Sequence, residues 1–216
     1  MSMENKNSIL NLQNIRVCFG KKTVIENLSL RLSRGEIVSL IGENGSGKST
    51  LMKVIVGLIL PDSGQISING IDPKQNPEAA LKQISAQIEE PVFYDGMSAQ
   101  DNLHLFCSLK GADLKYADKL LEMFKLESHR KKKVKKFSVG MRRRLQLAIC
   151  LAYDAPIYIL DEPFSGLDHQ GIADLEKLLM KLREKGHAIL ISSHQSEPLL
   201  RIQDREFSLT KQITVE

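Results

Sequence analysis

A glycine-rich segment at residues 42–49 constrains the fold of this chain more than any other feature. Its sequence is Gly-Glu-Asn-Gly-Ser-Gly-Lys-Ser. The apolar run 37–41 before it is typical of a buried strand, and the apolar residues after it recur at helical spacing as far as Leu58. Glycines let backbone N–H groups turn toward an anion, and the following helix directs its positive end to the same point. The segment therefore predicts a strand, a phosphate-binding loop and a helix, with a nucleoside triphosphate as the ligand.

Each residue type in this loop has a physical role. We expect the Lys48 ammonium to reach the β- and γ-phosphates and the Ser49 hydroxyl to ligate Mg²⁺. The rest of the loop and the first residues of the helix are expected to contact the phosphates through backbone N–H groups. The predicted nucleotide-binding residues here are Gly42, Asn44, Gly45, Ser46, Gly47, Lys48, Ser49 and Thr50.

Charge and hydropathy exclude several classes of protein. The net charge of +4 is too small to indicate a partner by itself, and the longest apolar run, 54–60, is far too short to span a bilayer. A basic run at 130–136 could favour an anionic surface, but no aromatic residues interleave with it, and a solvated loop is the simpler interpretation. We therefore expect no nucleic acid as partner and no transmembrane segment in this chain.

The cysteines indicate a reducing compartment. Cys18, Cys107 and Cys150 are far apart, odd in number and without metal-ligand spacing, and each lies among apolar residues. The N-terminal residues are polar and lack the apolar core of a signal peptide. We expect three buried free thiols in a cytoplasmic protein.

The periodicity changes along the chain. Apolar and polar residues alternate over 10–32, which predicts antiparallel strands; the segment 77–153 is mostly helical in pattern. Buried-strand runs at 157–160 and 188–191 then flank an amphipathic helix, as in a parallel sheet. The predicted fold class is therefore α/β: a nucleotide-binding core with a mostly parallel sheet, an N-terminal antiparallel β subdomain and an inserted helical subdomain, about 90–152, in one domain over 1–216.

Two carboxylates follow the run 157–160. Ligands of open α/β sheets bind at the carboxyl ends of strands, and there Asp161 could hold Mg²⁺ while Glu162 accepts a proton from an attacking water. The two would differ in role if the strand ends between them, which Pro163 makes plausible. By itself, the tripeptide is equally compatible with an ordinary turn at the end of a strand.

A second candidate anion site lies at 138–142. Ser138 is a good helix N-cap, Gly140 allows close approach, and the N-terminal end of the predicted helix is positive. A plain capped helix with its basic residues in water explains the same residues.

Taken together, these motifs resemble those of the nucleotide-binding subunits of ATP-binding-cassette (ABC) transporters over about 10–209. With Ser138 aligned on the serine of the LSGGQ consensus, the signature motif departs from that consensus at its third and fifth positions. The matching segments are 42–49 for Walker A, 138–142 for the signature, 161–162 for Walker B, 165–168 for the D-loop, 191–194 for the switch strand and 19–20 for the adenine-stacking aromatic.

The resemblance implies an ATP- and Mg²⁺-dependent ATPase. Two copies, as a homodimer or a heterodimer, would dock head to tail with two ATP molecules between them, so that Ser138 and Gly140 of one copy face the Walker A loop of the other. Catalysis would fall to three residues, Lys48 with the phosphates, Glu162 with the attacking water and His194 with the γ-phosphate. The other implied contacts are Phe19 with adenine, Asp168 in the D-loop, and Ser49 and Asp161 with Mg²⁺.

One position departs from the usual family pattern. Alignment on Pro91 places Glu89 where the family usually has the glutamine of the Q-loop, and it implies that Glu89 approaches the metal. Gln87, two residues earlier, is the alternative for that role. Glutamate in this loop is similar to the ATPases of lantibiotic-immunity and bacitracin-type peptide exporters.

The resemblance also implies a function and a location. The chain would be the motor subunit that drives a separate integral membrane permease, exporting a peptide or a small hydrophobic compound from the inner face of the cell membrane. The segment 89–102 would receive the permease, with Phe93, Tyr94 and Met97 as apolar contacts, unless these pack within the helical segment. The alternative is a soluble single-cassette ATPase that drives an assembly or signalling complex.

Overall fold

The computed structural model describes residues 7–89, 92–193 and 196–209, and in these ranges the chain forms two sheets and seven α-helices. The α/β fold class predicted from the sequence is confirmed. The strands are β1 Ser8–Phe19, β2 Lys22–Ser33, β3 Ile37–Ile41, β4 Ser63–Ile68, β5 Ile84–Gln87, β6 Ile157–Asp161, β7 Ala188–Ser192 and β8 Arg205–Ser208. The helices are α1 Lys48–Ile55, α2 Pro77–Leu81, α3 Ala99–Lys110, α4 Leu114–Met123, α5 Val139–Ala152, α6 His169–Glu184 and α7 Ser196–Ile202.

The N-terminal sheet is antiparallel, with strand order β2-β1-β4. Its apolar residues alternate with polar ones, so one face is buried: Leu10 pairs with both Leu32 and Ile68, and all three side chains are buried. The alternation over 10–32 therefore predicted β1 and β2 and their antiparallel pairing correctly.

The second sheet is wholly parallel in its described strands, with the order β5-β6-β7-β3-β8. Its central strands are buried on both faces, as their continuous apolar runs indicate. Parallel strands end at the same edge, so the loop after β3 and the ends of β6 and β7 lie side by side. This edge positions the candidate site.

Helices α3, α4 and α5 lie between β5 and β6 in chain order. Ser98 and Asp101 form a reciprocal capping box at the start of α3, and Leu103 is fully buried. Leu109 lies in the last turn of α3 and is exposed, and Gly111, in a left-handed conformation, caps the end of the helix. The predicted bounds of a separate helical subdomain, and of one domain over 1–216, remain predictions.

Two further expectations are corrected. Helix α1 stops at Ile55, and Gly57 has a φ of 76°, so Leu58 falls beyond the helix and is 70% exposed. Cys107 and Cys150 are buried, and burial raises the pKa of each thiol to about 11. Cys18 is only half-buried, because β1 lies at the surface there.

Within the described ranges, no helix has both the length and the apolar character needed to cross a bilayer.

Candidate functional site

The loop between β3 and α1 requires glycine at the positions where the backbone is most crowded. Gly42 has a φ of 155°, and a Cβ atom added there would lie 2.5 Å from the Ser46 Oγ and 2.7 Å from the Leu209 carbonyl oxygen. Gly47, with a φ of 102°, precedes the first residue of α1 and lies against Val24. Side chains would strain both positions, so the glycines allow the loop to curl around the start of α1.

Lys48 lies across this loop. Its side chain is buried, and its Nζ donates hydrogen bonds to the carbonyl oxygens of Gly42, at 2.6 Å, and Glu43, at 3.1 Å. The ammonium group is therefore held above the curl of the loop, next to the N-terminal end of α1. A phosphate in the loop would meet this positive charge together with backbone N–H groups.

Asp161 connects the loop to the neighbouring strands. One carboxylate oxygen accepts a hydrogen bond of 3.0 Å from the Ser49 Oγ, and the other accepts one from the Ser192 Oγ at the end of β7. A hydroxyl and a carboxylate are the hard oxygen ligands that Mg²⁺ prefers, and this ion usually takes few protein ligands plus phosphate oxygens. Ser49 and Asp161 thus fit Mg²⁺, and no group of three or more His, Cys, Asp or Glu residues forms a metal site in the described ranges.

Glu162 follows the last residue of β6 in a left-handed backbone conformation, with a φ of 52°. Its N–H donates a 3.0 Å hydrogen bond to the Ser192 carbonyl oxygen, and its Oε2 accepts one of 3.4 Å from the Ser193 Oγ. The strand therefore ends between Asp161 and Glu162, as expected from the sequence. The two neighbouring carboxylates reach different partners.

A cleft of about 350 Å³ lies over the loop and brings half of the predicted site residues together. Lys48, Asp161 and Glu162 all line it, so one opening contains the positive charge, the metal-binding oxygens and the candidate base. Its lining residues are Val24, Asn44, Gly45, Gly47, Lys48, Ser49, Thr50, Asp161 and Glu162.

Other predicted residues lie outside this cleft. Phe19 is at the end of β1 and 52% exposed, while Ser138 and Gly140 belong to the first turn of α5. His194 lies outside the described residues. Phe19, Ser138 and Gly140 do not line the cleft. The nucleotide contacts predicted for these three residues therefore remain predictions.

The first turn of α5 packs against the D-loop. Ser138 caps the helix, and its Oγ accepts a 3.3 Å hydrogen bond from the Met141 N–H. Gly140 packs against Gly166: a Cβ atom added to Gly166 would lie 3.5 Å from the Gly140 Cα. Arg143 donates a 2.7 Å hydrogen bond to the Ser165 Oγ. The signature helix and the segment after Glu162 are thus one packed unit.

Asp168 has local partners. It caps α6, accepting a 2.9 Å hydrogen bond from the Gly171 N–H, and it pairs with the Lys125 Nζ at 2.6 Å. The Lys125 hydrogen bond, with a further contribution from the Gly171 N–H, lowers the pKa of this carboxyl below its usual value. Its predicted nucleotide contact remains a prediction.

The structure separates the two candidates for the Q-loop role. Glu89, with a φ of 60°, is exposed and forms an ion pair with Lys53 of α1. Gln87 is buried at the end of β5, and its Nε2 donates a 2.9 Å hydrogen bond to the Asp161 carbonyl oxygen. Neither lines the cleft over the loop. The proposed metal contact of Glu89 therefore remains a prediction.

Two contacts escaped the sequence reasoning. The Ser192 hydroxyl orients Asp161, and Val24 forms a wall of the cleft. The polar residue at the end of β7 was visible in the sequence, but only the strand order places β7 beside β6. Val24 carries no motif and could not be identified from the sequence.

A loop between a parallel strand and a helix, with an aspartate at the end of a second strand, defines a P-loop nucleoside triphosphatase. The family model described as ABC transporter matches residues 25–165. The lantibiotic transport ATP-binding protein SrtF of Streptococcus pyogenes is 37% identical over 186 residues, which are 86% of this chain and 80% of that protein. The bacitracin transport ATP-binding protein BcrA of Bacillus licheniformis is 36% identical over 87% of this chain and 62% of that protein.

Solved structures agree with the sequence comparisons. An ATP-binding subunit of an ABC transporter superposes with a TM-score of 0.85 at 32% identity, covering 93% of this chain and 85% of that one. A dimeric ATP-binding cassette in a post-hydrolysis state, bound to ADP and phosphate, gives 0.82 at 27% identity, covering 93% and 94%. The chain belongs to the ABC transporter family, as an ATP-binding and ATP-hydrolysing subunit.

Proposed function

We propose that this chain is the motor of a peptide exporter and that its ATP sites are completed by a second ATPase subunit docked head to tail. One observation carries the proposal. Lys48, Asp161 and Glu162 share a cleft that Ser138 and Gly140 do not line, although these two residues form the start of a helix suited to an anion. A second subunit would supply that helix start to the open side of the cleft.

Within one subunit, the roles follow from position and charge. Lys48 and the loop N–H groups hold the β- and γ-phosphates, and Ser49 and Asp161 hold Mg²⁺, which would neutralise charge on the phosphate oxygens. Glu162 orients the attacking water and accepts its proton. His194 is assigned to the γ-phosphate by its family motif alone.

Across the dimer, the start of α5 stabilises the far side of the γ-phosphate. Ser138 and the N–H groups near Gly140 are its donors, and Val139 beside them is exposed in the single chain. Phe19 stacks on adenine from the end of β1, where it is half-exposed, and Asp168 fixes the D-loop next to the interface. The dimeric cassette among the structural neighbours supports this arrangement.

The transported substrate and the partner are proposed from the relatives. SrtF and BcrA are named for lantibiotic transport and bacitracin transport, which favours export of a peptide over a soluble assembly or signalling role. An integral membrane permease would hold the chain at the cytoplasmic face. The exposed side chains of Val92 and Tyr94 offer it apolar contacts, and the rings of Phe93 and Tyr94 both also contact Phe106 within the helical segment.

Complementation between two inactive variants tests the shared site. In a head-to-tail dimer, Lys48→Ala and Ser138→Arg damage opposite halves of each site, so mixing the two chains regenerates one intact site per mixed dimer. We expect each variant alone to be inactive and the mixture to release phosphate from ATP. Ser98→Arg, at the equivalent capping position of α3, is the matched control and should hydrolyse ATP alone. A mixture as inactive as its parts would contradict the shared site.

A further inference from the structure

Gln87 is a buried amide at a position that favours an apolar residue. It is the last residue of β5 and only 4% exposed. Its Nε2 donates a 2.9 Å hydrogen bond to the Asp161 carbonyl oxygen, while its Oε1 is buried without a hydrogen-bond partner among the described residues. A half-satisfied buried amide destabilises the fold relative to an apolar side chain of similar size, so the presence of Gln87 here calls for a physical reason.

The peptide that Gln87 holds is the one that joins Asp161 to Glu162. On its carbonyl side this peptide accepts the hydrogen bond from Gln87, and on its N–H side it donates a 3.0 Å bond to the Ser192 carbonyl oxygen. The next peptide group, which follows Glu162, is held as well: its carbonyl oxygen accepts a 3.1 Å hydrogen bond from the Ser165 N–H. The backbone on both sides of Glu162 is therefore fixed by hydrogen bonds from several directions.

This fixation matters because the Glu162 backbone is strained. Its φ of 52° lies in the left-handed region, which residues with a Cβ atom adopt only where their surroundings enforce it. If the Asp161–Glu162 peptide could rotate, the residue would relax toward an ordinary conformation and turn its carboxylate away from the cleft. A general base must hold its position to within a fraction of an ångström for efficient proton transfer.

We propose that Gln87 is a positioning residue for Glu162: its side-chain amide locks the Asp161–Glu162 peptide and so holds the carboxylate over the phosphate loop. The inference rests on the proposed role of Glu162 in catalysis. Gln87 also lines a small cleft with Arg143, whose guanidinium binds the Ser165 hydroxyl. The signature helix and β5 thus both secure the segment that carries Glu162.

This role differs from that of a glutamine that contacts the phosphates or their metal. Gln87 does not line the cleft over the phosphate loop, and its amide donates to backbone behind Asp161. Its loss should therefore change the rate of the chemical step and leave ATP binding nearly unchanged.

Gln87→Met removes the amide and keeps the length of the side chain. We expect kcat to fall about 10- to 100-fold, with the KM for ATP, the ATP affinity and the Tm close to those of the parent. Hydrogen exchange at the Glu162 amide should accelerate, since its bond to Ser192 loses support from the other side of the peptide. The matched control is Gln83→Met, at the residue just before β5, which should change neither kcat nor hydrogen exchange at the Glu162 amide.

Gln87→Leu is the second variant, in case methionine packs poorly. The inference is overturned if either folded variant keeps a kcat within about twofold of the parent. It is also overturned if both variants lose the fold, or if affinity, Tm and kcat fall together, because Gln87 would then be a structural residue only.

Glu162→Gln separates a failure of the role of Gln87 from a failure of the proposed catalytic role of Glu162. If that variant hydrolyses ATP like the parent, the role of Glu162 fails; if it is inactive while Gln87→Met is fully active, only the role of Gln87 fails.

Discussion

The Ser49 hydroxyl donates a 3.0 Å hydrogen bond to the Asp161 carboxylate and so joins two motifs that are 112 residues apart in the sequence. Ser49 begins α1 with Lys48, and Asp161 ends β6. The hydroxyl of Ser192 holds the other carboxylate oxygen from β7. Helix, strand and neighbouring strand therefore fix the positions of the metal-binding oxygens, as preorganised catalysis requires.

Asp161→Asn should raise the Mg²⁺ concentration needed for half-maximal ATPase activity by about tenfold or more, because an amide oxygen binds the ion more weakly than a carboxylate. Phosphate release measured over a Mg²⁺ titration gives this value. Ser192→Ala removes only an orienting hydrogen bond and should produce a smaller shift in the same direction. Equal Mg²⁺ requirements in the parent and Asp161→Asn would remove Asp161 from the metal site.

Lys48→Ala should reduce ATP hydrolysis by about 100-fold or more, because the positive charge beside the β- and γ-phosphates is lost. Steady-state phosphate release measures the loss, and ATP binding should weaken as well. Lys115→Ala, at the start of α4, removes a lysine remote from the cleft and serves as the control. Full activity in Lys48→Ala would exclude the loop as the phosphate site.

Glu89→Gln should preserve ATP binding and alter turnover, because the Glu89 carboxylate forms an ion pair with Lys53 of α1, the helix that begins at Lys48. Lys53→Gln should give the same change, and the double variant should add nothing to either, as expected for partners in one ion pair. A Mg²⁺ shift in Glu89→Gln like that of Asp161→Asn would support a metal contact instead. Kinetics identical to the parent in both single variants would remove the pair from the mechanism.

Asp168→Asn should lower the Tm at neutral pH, since it keeps an oxygen to cap α6 but loses the charge paired with Lys125. The carboxyl has a pKa below its unfolded value, so its stabilisation is present above the unfolded pKa, about 4, and is lost as the pH falls through the lower, folded value. The Tm difference from the parent should therefore narrow in acid. Melting curves from pH 7 downward test this, and a difference that widens in acid would contradict the pairing.

The sequence predicts the order of elements well because each depends on local pattern. The alternation over 10–32 and the apolar runs of β3, β6 and β7 are properties of a few adjacent residues. The phosphate loop is equally local, since Gly42 and Gly47 are required by their own backbone angles. Local pattern does not decide where a helix stops, so Leu58 was misplaced.

Contacts between distant segments could not be predicted in the same way. Gln87 faces Asp161 because β5 pairs with β6, and Glu89, two residues beyond β5, pairs with Lys53 of α1. The left-handed backbone of Glu162 depends on partners from β7 and the D-loop, which the sequence separates widely. Such positions are determined by packing rather than by propensity.

Glu162→Gln provides the most direct test of the shared ATP site, because it should bind ATP without hydrolysing it. Sedimentation velocity of this variant, with and without ATP and Mg²⁺, measures the result. The head-to-tail mechanism predicts a dimer with ATP and a monomer without it, and adding Ser138→Arg to the same chain should abolish the dimer. A chain that stays monomeric at saturating ATP, or a dimer that forms equally without it, would contradict the mechanism.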